Sequence, residues 1–178
     1  IYGQSKAKER TLDGLEGYRG SRPVRIGNAA IDQFQLDVYG EVIDALTLYH
    51  RSGGDFDRDA RNLIKGLINV ILKRWKEPDD GIWEVRSGRA QHIHSKIMAF
   101  VGMERGLELI KDNGLKLDAA RLKGTSNAIR DWLLTYGFDK QIGAFTRTPN
   151  GDLDAAVLVA PLVGFLDSSD PRIVGTVD

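Results

Sequence analysis

Residues 78 to 86 read Pro78-Asp79-Asp80-Gly81-Ile82-Trp83-Glu84-Val85-Arg86. Turn-formers, an aromatic ring, an acid and an arginine meet here, between two stretches of helical periodicity. Trp83 offers a large flat apolar surface, and Glu84 places a carboxylic acid beside it. A tryptophan can stack on a sugar ring while lowering the polarity around its neighbour. Burial of that kind raises a carboxyl pKa, as a general acid working near neutral pH requires. The same residues also read as a helix-helix loop with a core tryptophan and a solvated glutamate. Spacing alone favours that simpler reading.

His92 and His94 are the other residue types suited to chemistry. An H-x-H pair faces one way only on an extended segment, not on a helix. No third ligand lies nearby in sequence with recognisable spacing, and the chain has no cysteine. No metal site and no cofactor are therefore expected, and the histidines read as loop residues capping the helix that follows.

The elements that must position these residues are helices. Asn28 is a good N-cap, and the pattern predicts a helix from there to about Tyr49. Ile31, Phe34, Val38, Val42, Ala45 or Leu46, and Tyr49 would form its apolar stripe. Asp37, Glu41 and Asp44 fall on an adjacent stripe, either a solvated acidic face or polar groups facing a wet pocket. Gly40 costs such a helix about 1 kcal/mol against Ala, which a close helix or ligand approach would explain. A second helix is expected from Asp55 or Phe56 to Trp75, with Ala60, Leu63, Ile64, Leu67, Ile68, Ile71, Leu72 and Trp75 inward. A third spans about Ser95 to Asp112 and stops at Asn113-Gly114. A fourth spans Leu117 to Tyr136, opened by Asp118 and weakened at Gly124-Thr125-Ser126. A short apolar helix, buried and kinked by Pro161, is expected from Asp152 or Leu153 to Leu166. Residues 138–151 read as a loop, and Leu12 to Ile26 as an ordered loop with interspersed apolar residues. Helix, loop and helix alternate with nearly no strand signal. The fold class is all-α, built of stacked helical hairpins.

Composition narrows the function classes. The chain has 178 residues, 42% of them hydrophobic, and reads as one domain with enough apolar content for a core. Its 25 acids balance 25 bases. That balance gives no basic excess for nucleic acid and no acidic excess for disorder. No apolar run approaches the ~20 residues of a membrane helix. The lack of cysteine is compatible with a cytoplasmic protein.

The stretch Pro78 to Arg86 resembles the general-acid loop of glycoside hydrolase family 15, which includes glucoamylases, glucodextranases and bacterial trehalases. Gly17-Tyr18-Arg19-Gly20-Ser21-Arg22-Pro23-Val24-Arg25-Ile26-Gly27-Asn28-Ala29-Ala30 resembles the loop that precedes it in bacterial members. So does its continuation from Gln33 to Glu41. His94-Ser95-Lys96-Ile97-Met98-Ala99, Leu153-Asp154-Ala155-Ala156 and Asp170-Pro171-Arg172 match more weakly, in the expected order.

The resemblance implies an (α/α)6 toroid and inverting hydrolysis of a terminal α-glucosidic bond in trehalose or a maltooligosaccharide. Glu84 corresponds to the general acid. Trp83 and Ile82 would line the sugar site, and Arg25 and Asn28 would lie close to it. The family's base lies beyond the Asp-Pro-Arg turn, and a Trp-x-Arg-Asp motif precedes the Gly-Tyr-Arg-Gly-Ser region. Neither has a counterpart in these 178 residues. Residues 1–178 are thus expected to be the central part of one catalytic domain. Such a part would carry a general-acid half-site with weak or no turnover alone, and would self-associate or pair with the remainder of its parent. A second reading is a non-catalytic carbohydrate-binding or regulatory helical module, and a third is a helical scaffold.

Overall fold

The computed structural model describes residues 8–83 and 88–178. The chain divides into two compact units, Ile1–Phe34 and Gln35–Asp178.

In the first unit, strand β1 (Arg10–Thr11) pairs antiparallel with β2 (Arg25–Ile26), with Arg10 opposite Ile26. A 3-10 turn at Tyr18–Gly20 lies between them. Of the interspersed apolar residues, Leu15, Tyr18 and Ile26 are exposed, and Leu12 and Val24 are half-buried. Asn28 does act as an N-cap, its Oδ1 accepting from Ala30 N at 2.9 Å, but what it caps is a 3-10 turn, Ala29–Asp32.

The second unit is helical. Helix α1 spans Asp37–Arg51, so the helix expected from Asn28 begins about two and a half turns late. Gln33 is extended, and Leu36 offers no side-chain cap. A tertiary cap replaces the local one: Leu36 N donates to Asp79 Oδ2 at 3.1 Å, a partner invisible to local pattern.

The buried face of α1 also differs from the expected stripe. Asp37, Gly40, Ile43 and Thr47 are buried, whereas Val38 and Tyr49 are exposed. The reason is α3 (Ile93–Asn113), which lies against α1 at Gly40. A Cβ on Gly40 would sit 1.9 Å from the carbonyl oxygen of Met98, and one on Gly102 would sit 3.3 Å from the Gly40 Cα. Close helix approach accounts for the glycine within α1.

Polar pairs ascend both helices together. His94 faces Asp37, Arg105 Nε donates to Asp44 Oδ1 at 2.6 Å, and Arg51 makes two 2.6 Å bonds to Glu108. The two helices therefore run in the same direction. Asp37 and Asp44 do not belong to a solvated acidic face.

Helix α2 (Arg58–Arg74) is capped by Asp57, whose Oδ1 accepts from Ala60 N at 2.8 Å. It buries Ile64, Ile68 and Ile71. The carbonyls just past its C-terminus are met by side chains. Lys96 Nζ donates to Trp75 O at 2.6 Å and Glu77 O at 2.8 Å, and Gln91 Nε2 donates to Lys76 O at 2.8 Å.

Helix α3 is buried along most of its length, including His94, Ser95 and Lys96, and ends at left-handed Gly114. Helix α4 (Ala119–Trp132), capped by Asp118, runs unbroken through Gly124 into a π turn at Leu133–Gly137. Ser126, within the supposedly weak middle, is buried and donates to Glu104 on α3.

Residues 138–151 contain a small hairpin of β3 (Phe138–Asp139) and β4 (Ala144–Phe145). Phe145 and Phe165 stack edge-to-face, as do Phe100 and Phe165. The expected buried helix near residue 160 is instead a 3-10 turn (Ala155–Leu158) running into the single-turn α5 (Val159–Leu162). Leu153, Leu158 and Leu162 are exposed there, so the apolar run is not a core helix. The last element is α6 (Pro171–Val177), capped by Asp170.

Candidate active site

Asp79 organises the start of the acid loop. Its Oδ2 accepts from Leu36 N at 3.1 Å, Gly81 N at 3.2 Å and Ser95 Oγ at 2.7 Å. One buried oxygen thus ties the loop to the start of α1 and the first turn of α3. Backbone bonds between Asp79 and Ala90, both 2.9 Å, close the loop at its base. Gln35 Nε2 donates to Gly81 O at 3.1 Å, and Arg89 Nε to Asp80 Oδ2 at 3.0 Å. Gly81 has φ +68°, and an added Cβ would lie 2.7 Å from the His92 ring. Both facts restrict the position to glycine.

Ile82 and Trp83 follow at the surface, Trp83 with 56% of its area exposed. The Trp83 indole is hydrogen-bonded. Its Nε1 donates to both carboxylate oxygens of Asp154 at 2.9 Å. Asp154 Oδ1 also accepts from Ala156 N at 2.9 Å, capping the 3-10 turn. A cavity of about 170 Å³ opens beside Asp154, lined by Leu153, Asp154, Ala155, Leu158 and Thr176. That is less than the ~300 Å³ at the lower end for small-molecule sites. Glu84, with Val85, Arg86 and Ser87, lies outside the described residues.

Behind the loop stand Asp37, Glu41, His92 and His94. His92 precedes α3 and His94 lies in its first turn, and neither makes the side-chain cap expected of it. His94 Nδ1 is 3.8 Å from Asp37 Oδ2, and both side chains are buried. Burial pushes the Asp37 carboxyl above its usual range, helped by the nearby charge of Asp79. Partial burial, then the charge of Asp37, raises Glu41 as well. Burial pushes both imidazoles below their ordinary value, against the opposing pull of neighbouring carboxylates. Burial thus favours the uncharged form of both imidazoles. No third ligand lies near the histidines in sequence, but in space Asp37 and Glu41 approach His94 from another helix. Their one-turn spacing on α1 was the available signal; what sequence could not supply was the neighbour.

Arg25 and Asn28 lie in the first unit. Arg25 Nε is 3.2 Å from Glu9 Oε1, so its charge is already paired, and Asn28 spends its Oδ1 on the local turn. Ile82, Trp83, Asp79 and Asp154 belong to the second unit. Asp79 and Asp154 were not among the residues expected at the site. Both act by holding other groups, which local sequence does not advertise.

Residues 2–178 match the model of glycosyl hydrolases family 15. The trehalase of Mycolicibacterium smegmatis is 40% identical over 179 residues, covering 99% of this chain and 26% of its own length. The trehalase of Thermoplasma acidophilum is 37% identical over 169 residues, covering 94% and 29%. The chain thus spans less than a third of the curated relatives it matches. Among solved structures, a glycosidase complex with glucose superposes with TM-score 0.68 at 18% identity, over 87% of this chain and 43% of that one. The glucoamylase of Saccharomycopsis fibuligera gives 0.62 at 16%, over 79% and 34%. These superpositions show the fold, helical hairpins of the (α/α)6 toroid type. The sequence match, running nearly end to end, establishes that the chain belongs to glycosyl hydrolase family 15.

Proposed function

We propose that these residues carry the general-acid side of an α-glucosidase active site, with trehalose the first candidate substrate. The observation that carries the reading is the built setting of Trp83. A buried carboxylate fixes the loop before it, and a second carboxylate holds its indole at the surface, immediately before Glu84. A large flat ring held in this way suits stacking against a sugar. The trehalase names of the relatives favour an α-glucoside over other glycosides.

In this reading Glu84 donates its proton to the glycosidic oxygen as the C1–O bond breaks. A water attacks C1 from the opposite face, and a second carboxylate takes the proton that water loses. The anomeric centre inverts, and one water is consumed per bond cleaved. The family pattern puts the second carboxylate in a motif with no counterpart here. Residues 1–178 act in this reading as the central part of a catalytic domain, with little or no turnover alone. Ile82 lines the sugar site beside Trp83. In the family pattern Arg25 and Asn28 count among the sugar-binding residues, and Arg25 would then exchange Glu9 for sugar hydroxyls. Exposed Leu153, Leu162 and Val177 offer apolar surface for the rest of the domain or for a second copy.

The test is glucose release from trehalose and maltotriose by the parent domain and by its Glu84→Gln variant. Loss of a positioned general acid should cost about 10²–10⁴-fold in kcat. Undiminished turnover in the variant would overturn the assignment. Sugar binding without turnover in the parent domain would instead favour a carbohydrate-binding module.

A further inference from the structure

We propose that Asp37, Glu41 and His94 form a site for one divalent cation of the Mn²⁺ or Zn²⁺ class. One potential ligand atom from each residue lies within 4.8 Å of the other two. Asp37 and Glu41 stand one turn apart on α1, and His94 comes from the first turn of α3. Carboxylates alone would not make a site. The second observation is that Asp37 Oδ1 and His94 Nδ1 are both buried and make no hydrogen bond. Asp37 and His94 retain only 1% and 5% of their exposure. The 3.8 Å between His94 Nδ1 and Asp37 Oδ2 is too long for a hydrogen bond and faces the imidazole nitrogen into the group.

Neighbouring ligands of one ion, each at about 2.0–2.2 Å, lie roughly 3–3.5 Å apart. The three atoms lie within 4.8 Å of one another, so the side chains close inward to seat the ion. Two carboxylates with one imidazole suit Mn²⁺ or Zn²⁺ better than Mg²⁺ or Ca²⁺, which favour all-oxygen shells. A metal requires the uncharged imidazole, the form that burial of His94 favours. Glu41 reaches the surface and provides the access route, while three protein ligands leave room for water in the shell. The scaffold is stiff, because the Gly40–Met98 contact between the two helices lies within one turn of each ligand.

The test titrates the chain with MnCl2, following loss of the free-ion signal by electron paramagnetic resonance. Wild type should take up one Mn²⁺ per chain, and added Zn²⁺ should release it. Glu41→Gln, a change at an exposed position, should weaken binding by about tenfold or more, as should His94→Gln. Far-UV circular dichroism checks that each variant keeps its helices. Absence of uptake of either ion at about 1 mM, a free-energy scale of about 4 kcal/mol, overturns the proposal. So does uptake that Glu41→Gln leaves unchanged.

Discussion

Trp83 and Asp154 stand 71 positions apart and meet through a 2.9 Å hydrogen bond from the indole to the carboxylate. The same carboxylate caps the turn that begins at Ala155. Replacing Asp154 with Ala removes both roles and should cost about 1–2 kcal/mol in stability. Asp154→Asn, which retains an oxygen acceptor, should cost less than half as much. Acrylamide quenching of tryptophan fluorescence should rise in Asp154→Ala as Trp83 loosens. In the parent domain, glucose release should fall about tenfold or more if Trp83 positions the sugar. Unchanged quenching would show that the bond does not restrain the ring.

Asp79 ties three parts of the chain together through one carboxylate oxygen. Asp79→Ala deprives Leu36 N, Gly81 N and Ser95 Oγ of their acceptor at once. A loss of about 3–5 kcal/mol is expected from urea unfolding. Ser95→Ala should cost about 1 kcal/mol, and much less when Asp79 is already Ala. A double-mutant cycle measures that difference as coupling.

Gly40 and Gly66 make a controlled pair. Both lie inside helices, but an added Cβ meets a backbone oxygen at Gly40 and nothing within 4 Å at Gly66. Gly40→Ala should destabilise by about 3 kcal/mol or more, since α1 must move off α3. Gly66→Ala should stabilise by about 0.5–1 kcal/mol through helix propensity alone. Thermal unfolding of the two variants reads both signs.

Lys96 links stability to pH. Burial lowers its pKa from 10.5 to about 8, while the unfolded chain keeps the ordinary value. Between pH 8 and 10.5 the unfolded state therefore binds more protons, and this group makes stability rise with pH. Summed over that window the contribution is about 3 kcal/mol. It is fully present above pH 10.5 and lost as pH falls through 8. Urea unfolding of wild type and Lys96→Met at pH 8 and pH 10 isolates it: the wild type should gain on the variant. A parallel pH response in the two would exclude the assignment.

The helical hairpins were legible because periodicity and caps are local. Asp118 and Gly114 mark helix ends where the pattern put them. The start of α1 was not legible, because its cap is Asp79, supplied from the far side of α2. The buried face of α1 was misread for a related reason. A glycine, an aspartate and a threonine face α3, and the close approach that buries them leaves no apolar signature. Trp83 could be singled out from its neighbours in sequence, whereas its partner Asp154 could not. The third and fourth helices of the pattern lie where expected, yet the apolar run near residue 160 does not bury. Apolar content alone does not tell a core helix from a surface awaiting a partner.

The contact at Gly40 also constrains genetics. What fills the space is the Met98 carbonyl oxygen, a backbone atom that every amino acid carries. A side chain introduced at position 40 therefore cannot be accommodated by trimming position 98. Second-site suppressors of a Gly40 lesion should not arise there, and recovery should come by restoring the glycine itself.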